Sequence, residues 1–177
     1  LYKDKLSFKT TTLHRPYLYS IDQLLSGFSL MKATIIKNKS NWLLQHKTTN
    51  YLENYLVRQQ ALKLGYNDAY FLNDAGVITE CSSSNVFIKR GNVLMTSPQQ
   101  EGLLPGIIRN KILQQQKILK YKIKEEKITS TMLEQAEGVF VCNSLIGLVG
   151  GNKIDNIIYQ HDAELCNETN KLIGFVI

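Results

Sequence analysis

The chain is 177 residues long, 44% of them hydrophobic and 20% charged; this is ordinary globular usage and excludes disorder and collagen-like fibre. The longest apolar stretch, 138–148, is interrupted by Asn143 and Ser144 and falls well short of the roughly 20 residues that a membrane-spanning helix needs. Lys and Arg outnumber Asp and Glu by 21 to 15, a net charge of +6, but the arginines are few and the lysines scattered, so a solvated lysine surface accounts for the excess better than a nucleic-acid groove does.

Residues 1–12 alternate polar and apolar, as a strand end or linker does. Asp22–Leu25 fits one helical turn. Phe28–Lys37 is dominated by Phe, Leu, Met, Ala and Ile and reads as a strand, with 38–41 as a turn. Asn50–Leu64 is the clearest helix: Tyr51, Leu52, Tyr55, Leu56 and Leu62 recur at helical spacing, and Gly65 follows at the position that favours glycine. Ala69–Asn73 and Val77–Thr79 read as strands around the turn 74–76. Val86–Lys89 and Val93–Thr96 read as a hairpin. A second helix is expected from Ile107 to about Lys120, then a strand over Tyr121–Ile128. Thr131 and Glu134 fit a capping box opening a short helix. Gly138–Cys142 reads as a buried strand, Ile154–Tyr159 as a strand and hairpin, and Ala163–Gly174 as a closing helix. Short strands mixed with a few helices give an α+β (mixed α/β) class built on a multi-stranded sheet.

Cys81, Cys142 and Cys166 are odd in number and widely spaced. They argue for a reducing compartment rather than a disulfide frame. The histidines do not cluster with them, so no zinc site is expected. A cytoplasmic location follows as the expectation.

Four polar clusters fall where loops or strand ends are expected, the usual place for active sites. They are 46–50, 80–85, 102–109 and 142–144. Lys47 sits just ahead of the strongest helix and behind Trp42-Leu43-Leu44. It is either one surface lysine among many or a partly desolvated amine able to form a Schiff base. Glu80 is either a solvated strand-edge carboxylate or a buried one that holds a ring nitrogen protonated. Pro105-Gly106 is either an ordinary helix start or a phosphate cradle built from free backbone N–H groups. Asn143-Ser144 offers an amide and a hydroxyl, for an anion or for a turn. Together a lysine, a carboxylate, a glycine-led helix start and a hydroxyl make the parts list for pyridoxal 5′-phosphate (PLP).

These motifs, in this order, resemble the class IV aminotransferases, the fold-type IV group of PLP enzymes. The resemblance rests on His46-Lys47-Thr48-Thr49-Asn50-Tyr51-Leu52, Gly65-Tyr66-Asn67-Asp68-Ala69, Val77-Ile78-Thr79-Glu80, Ser84-Asn85-Val86-Phe87 and Gly102-Leu103-Leu104-Pro105-Gly106-Ile107-Ile108-Arg109. It implies the C-terminal domain of the D-amino-acid aminotransferase-like fold, a sheet or barrel-like core with flanking helices. Residues 26–177 would form the PLP-binding domain. Residues 1–25 resemble the end of a preceding smaller domain and its linker, which would leave half an active site and weak PLP affinity or none.

The resemblance further implies that Lys47 forms a Schiff base with PLP and moves protons, and that Glu80 pairs with the pyridine nitrogen. The backbone N–H groups of Ile107 and Ile108 would bind the phosphate, with Asn143 and Ser144 beside it. Family members often carry Thr where Ile108 stands, so a hydroxyl contact is absent. Val139-Phe140-Val141-Cys142-Asn143-Ser144-Leu145 is similar to 4-amino-4-deoxychorismate lyases, whereas 82–87 is similar to D-amino-acid aminotransferases. The lyase is the favoured expectation, with a D- or branched-chain-amino-acid aminotransferase as the alternative. A third possibility is a degenerate domain that only binds or dimerises. A small-molecule substrate and a homodimer are implied, with no nucleic acid and no membrane.

Overall fold

The computed structural model describes residue 12 and residues 19–175; apart from Thr12, the alternating segment 1–12 lies outside them. Helix α1 (Ile21–Ser26) opens on a capping box, with Ser20 Oγ accepting from the Gln23 N–H and Gln23 Oε1 accepting from the Ser20 N–H. Leu24 of α1 is buried in the main core beside Tyr19 and Phe28. Strand β1 (Phe28–Lys37) follows, then a single 3-10 turn at Trp42–Gln45 and helix α2 (Leu52–Lys63). The helix stops where Gly65 takes φ of 82°, a left-handed conformation cheap only for glycine.

Strands β2 (Asp68–Asn73), β3 (Val77–Cys81), β4 (Asn85–Arg90) and β5 (Val93–Thr96) come next. Then follow α3 (Ile107–Gln114), β6 (Lys117–Ile118), β7 (Tyr121–Glu125), β8 (Ile128–Thr129) and α4 (Ser130–Glu134). The chain continues through β9 (Gly138–Asn143), β10 (Gly147–Ile154), β11 (Ile157–Ile158) and α5 (Ala163–Leu172). The eleven strands among the described residues join one sheet. No helix among the described residues is long and apolar enough to cross a membrane.

The pairings close on themselves. β4 pairs with β9, β9 with β10, β10 with β1, β1 with β2, β2 with β3, and β3 returns to β4 through Glu80 opposite Asn85. Two of these contacts, β10–β1 and β1–β2, are parallel. This ring of six strands is the barrel-like core. β3 and β4 are buried along most of their length, on both faces, because the ring interior lies on one side and helices or loops on the other. One core cluster holds Leu30, Ile78, Ile88 and Val141; a second, under α3 and α5, holds Phe87, Phe140, Ile112 and Leu165. The mixed α/β class and the sheet core are as the sequence suggests.

Four local expectations are corrected. The second helix ends at Gln114, not near Lys120. Ile108 and Ile112 share a buried face, but Ile118 would fall about 100° away from its centre in a continued helix. A tight hairpin buries Ile118 instead, opposite Tyr121, with Gln116 and Leu119 at positive φ. The expected strand over Tyr121–Ile128 is two strands with different neighbours, β7 on β5 and β8 on β3. Helix α4 is capped by Thr129, which accepts from the Met132 N–H; the Thr131–Glu134 box does not form. Finally, β10 begins at Gly147, where no strand was expected before Ile154. Its glycines hide it: a Cβ on Gly150 would lie 2.4 Å from His161 Nδ1, so the strand needs glycine where β-propensity disfavours it.

Candidate active site

At one end of the ring the β3–β4 turn, the β9–β10 turn, the start of α3 and one face of α2 surround a cleft of about 480 Å³. Its lining includes Lys47, Glu80, Gly106, Ile107, Asn143 and Ser144. The structure therefore brings five of the six expected site residues to one cleft. Ile108 does not line it; its side chain is buried in the second core cluster, and its backbone N–H lies in the first turn of α3.

Glu80 closes β3 and is 8% exposed. Its Oε2 accepts from the Leu104 N–H at 3.0 Å. Burial raises the carboxyl to about 7, against the pull of that N–H and of the Lys37 and Lys47 charges. Of the two readings of Glu80, the structure holds the buried one. Of the two readings of Lys47, the structure holds the exposed one. The 3-10 turn leaves Trp42 and Leu43 out in solvent, so they build no apolar wall around it. Its ammonium donates to Tyr51 Oη at 3.2 Å and lies 4.6 Å from the centre of that ring.

Gly106 caps α3, and no side chain caps the first N–H groups of this helix. A Cβ at Gly106 would fall 2.2 Å from Asn85 Oδ1. Asn85 Nδ2 in turn donates to Leu104 O at 2.8 Å. The corner before α3 is thus pinned from β4 and from Glu80 together. Asn143 is committed to the turn it sits in: Oδ1 accepts from the Leu145 and Ile146 N–H groups, and Nδ2 donates to Ser83 O at 3.0 Å. Ser144 is exposed at the cleft.

Three supports were not anticipated from sequence. Asp68, 2% exposed, accepts from the Ala69 N–H, Ser82 Oγ and Ser83 Oγ and so holds the β3–β4 turn. Asn54 donates to Ser82 O at 2.9 Å and accepts from Lys37, whose ammonium also binds Glu53. Arg58 and Tyr19 complete one wall of the cleft. Tyr51, the N-cap of α2, and Asn54 and Arg58 within it lie three and four residues apart, one helical face that spacing alone does not tell from solvated surface. Arg109, part of the recognised motif, does not line the cleft; it is buried and donates to Ser97 O and the Glu125 carboxylate.

The donor set suits PLP. An uncapped helix start offers N–H groups to a phosphate, a buried carboxylate suits a ring nitrogen, and a reachable amine suits an aldehyde.

Comparison with known proteins agrees. The family described as Amino-transferase class IV matches residues 6–154. The branched-chain-amino-acid aminotransferase of Escherichia coli K12 is 31% identical over 108 residues, covering 61% of this chain and 35% of its own length. Among solved structures, a protein of Legionella pneumophila assigned provisionally as a 4-amino-4-deoxychorismate lyase is 32% identical with a TM-score of 0.77, over 84% of this chain and 55% of that one. The branched-chain aminotransferase of Thermoproteus uzoniensis is 26% identical with a TM-score of 0.76, over 84% of this chain and 52% of that one. The chain spans less than half the length of the curated relatives it matches, 40% and 45% for those of Methanocaldococcus jannaschii and Rickettsia bellii. The chain belongs to the class IV aminotransferases, a family of PLP-dependent enzymes.

Proposed function

We propose that this chain is the PLP-binding part of a lyase that converts 4-amino-4-deoxychorismate to 4-aminobenzoate and pyruvate, a step that feeds folate synthesis. The observation that carries the reading is the Asn143-Ser144 turn. It ends the buried strand β9 at the cleft and is tied by Asn143 Nδ2 to the serine turn after Glu80. The likeness to the Legionella protein supports it.

When bound, PLP supplies an electron-withdrawing ring that stabilises negative charge at the amine-bearing carbon of the substrate. The backbone N–H groups of Ile107 and Ile108 and the Ser144 hydroxyl would hold its phosphate. Glu80 would face its ring nitrogen and hold a proton between them. Lys47 Nζ takes the proton from the amine-bearing carbon, and Tyr51 Oη keeps that amine at the cleft. The enol-pyruvyl C–O bond breaks and the substrate ring becomes aromatic; the departing enolate takes the proton from Lys47 Nζ at its methylene carbon and leaves as pyruvate. Aromatisation supplies a driving force that amino-group transfer lacks.

The aminotransferase reading uses the same residues and is favoured by the branched-chain enzymes among the sequence relatives. We also place the protein in the cytoplasm as a homodimer. Its three cysteines are free and buried, as a reducing compartment allows. Leu52, Tyr55, Leu56 and Leu62 of α2 are exposed, apolar area that a second copy would cover.

The test is PLP titration, borohydride trapping and peptide mapping on one sample, and an activity assay on a second, PLP-saturated sample that has not been reduced. Label on Lys47 and release of 4-aminobenzoate are expected. Label on a different lysine overturns the site. Transfer of the amino group to a 2-oxo acid, with no aromatic product, overturns the lyase in favour of the aminotransferase.

A further inference from the structure

Arg58 sits two turns beyond Tyr51 on α2 and lines the same cleft as Lys47. Its Nε is buried and has no hydrogen-bond partner. Its Nη2 reaches Tyr19 Oη at 3.4 Å, a long contact, and its guanidinium carbon lies 5.8 Å from the centre of the Tyr19 ring. No described acid forms a direct ion pair with it, although the Asp68 carboxylate feels its charge. Glu53 is taken by Lys37, Asp68 by Ser82, Ser83 and the Ala69 N–H, and Glu80 by the Leu104 N–H. A partly buried guanidinium with an orphaned donor is costly to keep. A planar anion entering the cleft would satisfy it, and a carboxylate matches its fork.

The position of Arg58 selects among carboxylates. Seven residues of helix, about 10 Å of rise, separate it from Tyr51, where the Lys47 ammonium rests. An α-amino acid carries its carboxylate on the amine-bearing carbon itself, and so at the lysine end of this wall. A six-membered ring with amine and carboxylate on opposite carbons sends the carboxylate away from the lysine, along the wall that Tyr19 and Arg58 line.

Resting on the lyase reading of the cleft, we propose that Arg58 is a specificity-determining residue that binds the ring carboxylate of a substrate whose amine lies across the ring from it, favouring cyclic amino acids of the para type over α-amino acids.

The experiment measures equilibrium binding of 4-aminobenzoate, aniline and leucine to the chain, with and without PLP. The wild type is compared with Arg58→Gln and Arg58→Lys, and thermal melts confirm that each is folded. In the wild type 4-aminobenzoate should bind roughly 10- to 100-fold tighter than aniline, which lacks only the carboxylate. Arg58→Gln should erase that difference, Arg58→Lys should keep part of it, and leucine should be insensitive to both. Borohydride labelling of Lys47 should be the same in all three proteins.

A preference for 4-aminobenzoate that survives Arg58→Gln overturns the proposal. So does loss of the Lys47 label in that variant, which would assign Arg58 to the cofactor phosphate. Wild-type protein that takes no label on Lys47 bears on the PLP site of this chain and not on Arg58. The comparison of 4-aminobenzoate with aniline on the PLP-free chain still decides the role of Arg58 in that case.

Discussion

At Gly106 a single missing carbon shapes the site. The backbone there has an ordinary extended conformation, so strain is not the reason for glycine; close approach is. Asn85 Oδ1 occupies the space of a Cβ, at 2.2 Å. Gly106→Ala should push Asn85 off Leu104 O and tilt the first turn of α3 away from the cleft. The expected cost is about 1–3 kcal/mol of stability, read by denaturant unfolding, with at least a tenfold weaker PLP titration. Unchanged PLP affinity would mean that the start of α3 does not hold the phosphate. Lys47, Glu80, Ile107, Asn143 and Ser144 were legible because each sits in a short motif at an element end. Tyr51, Asn54 and Arg58 were not, because polar residues on one face of a helix look like solvated surface until the fold shows what that face meets.

Between strands, the Ser82–Ser84 turn is the element on which the site hangs. It joins Glu80 to Asn85 and is tied from three sides, by Asp68, Asn54 and Asn143. Asp68→Ala leaves the Ser82 and Ser83 hydroxyls and the Ala69 N–H without their acceptor. We expect a loss of about 3 kcal/mol, and about half that for Asp68→Asn, which keeps one acceptor oxygen. Amide hydrogen exchange over 82–84 should accelerate in the Ala variant more than in the core strands; protection that stays native would show that the turn is held by its backbone alone. Such ties are long-range, and no local pattern encodes them. Strands with ordinary propensity, β1 and the β4–β5 hairpin, were legible to within a residue. β10 was hidden by the glycines that let His161 and Val139 pack on it. α3 was overextended because helical propensity continues past the point where Ile118 must turn into the core.

Across the whole molecule, the closure of the ring through Glu80 and Asn85 has a consequence for stability against pH. The closure puts a carboxylate where burial raises it from 4.5 to about 7, and Asp68 is raised by burial as well. Nothing in the order of strands announces this, since the closing contact is one residue pair. A carboxyl with a raised folded value binds its proton more tightly in the native state than in the unfolded one. Its contribution is therefore complete below about 4.5 and is lost as pH rises through about 7. For Glu80 the shift corresponds to about 3 kcal/mol. Glu101 and Asp162 act with the opposite sign: Lys127 holds Glu101 low, and Lys89 holds Asp162 low in spite of its partial burial, so their contribution is lost as pH falls below the usual carboxylate range. Wild-type stability to denaturant should accordingly decline between pH 5 and 8, and Glu80→Gln should flatten much of that slope, leaving the part due to Asp68. A cationic ring nitrogen beside Glu80 favours its ionised form, so saturation with PLP should flatten the wild-type slope in the same way. Parallel curves for wild type and Glu80→Gln over this range would mean that water reaches the carboxylate and that the closed end of the ring is open in solution.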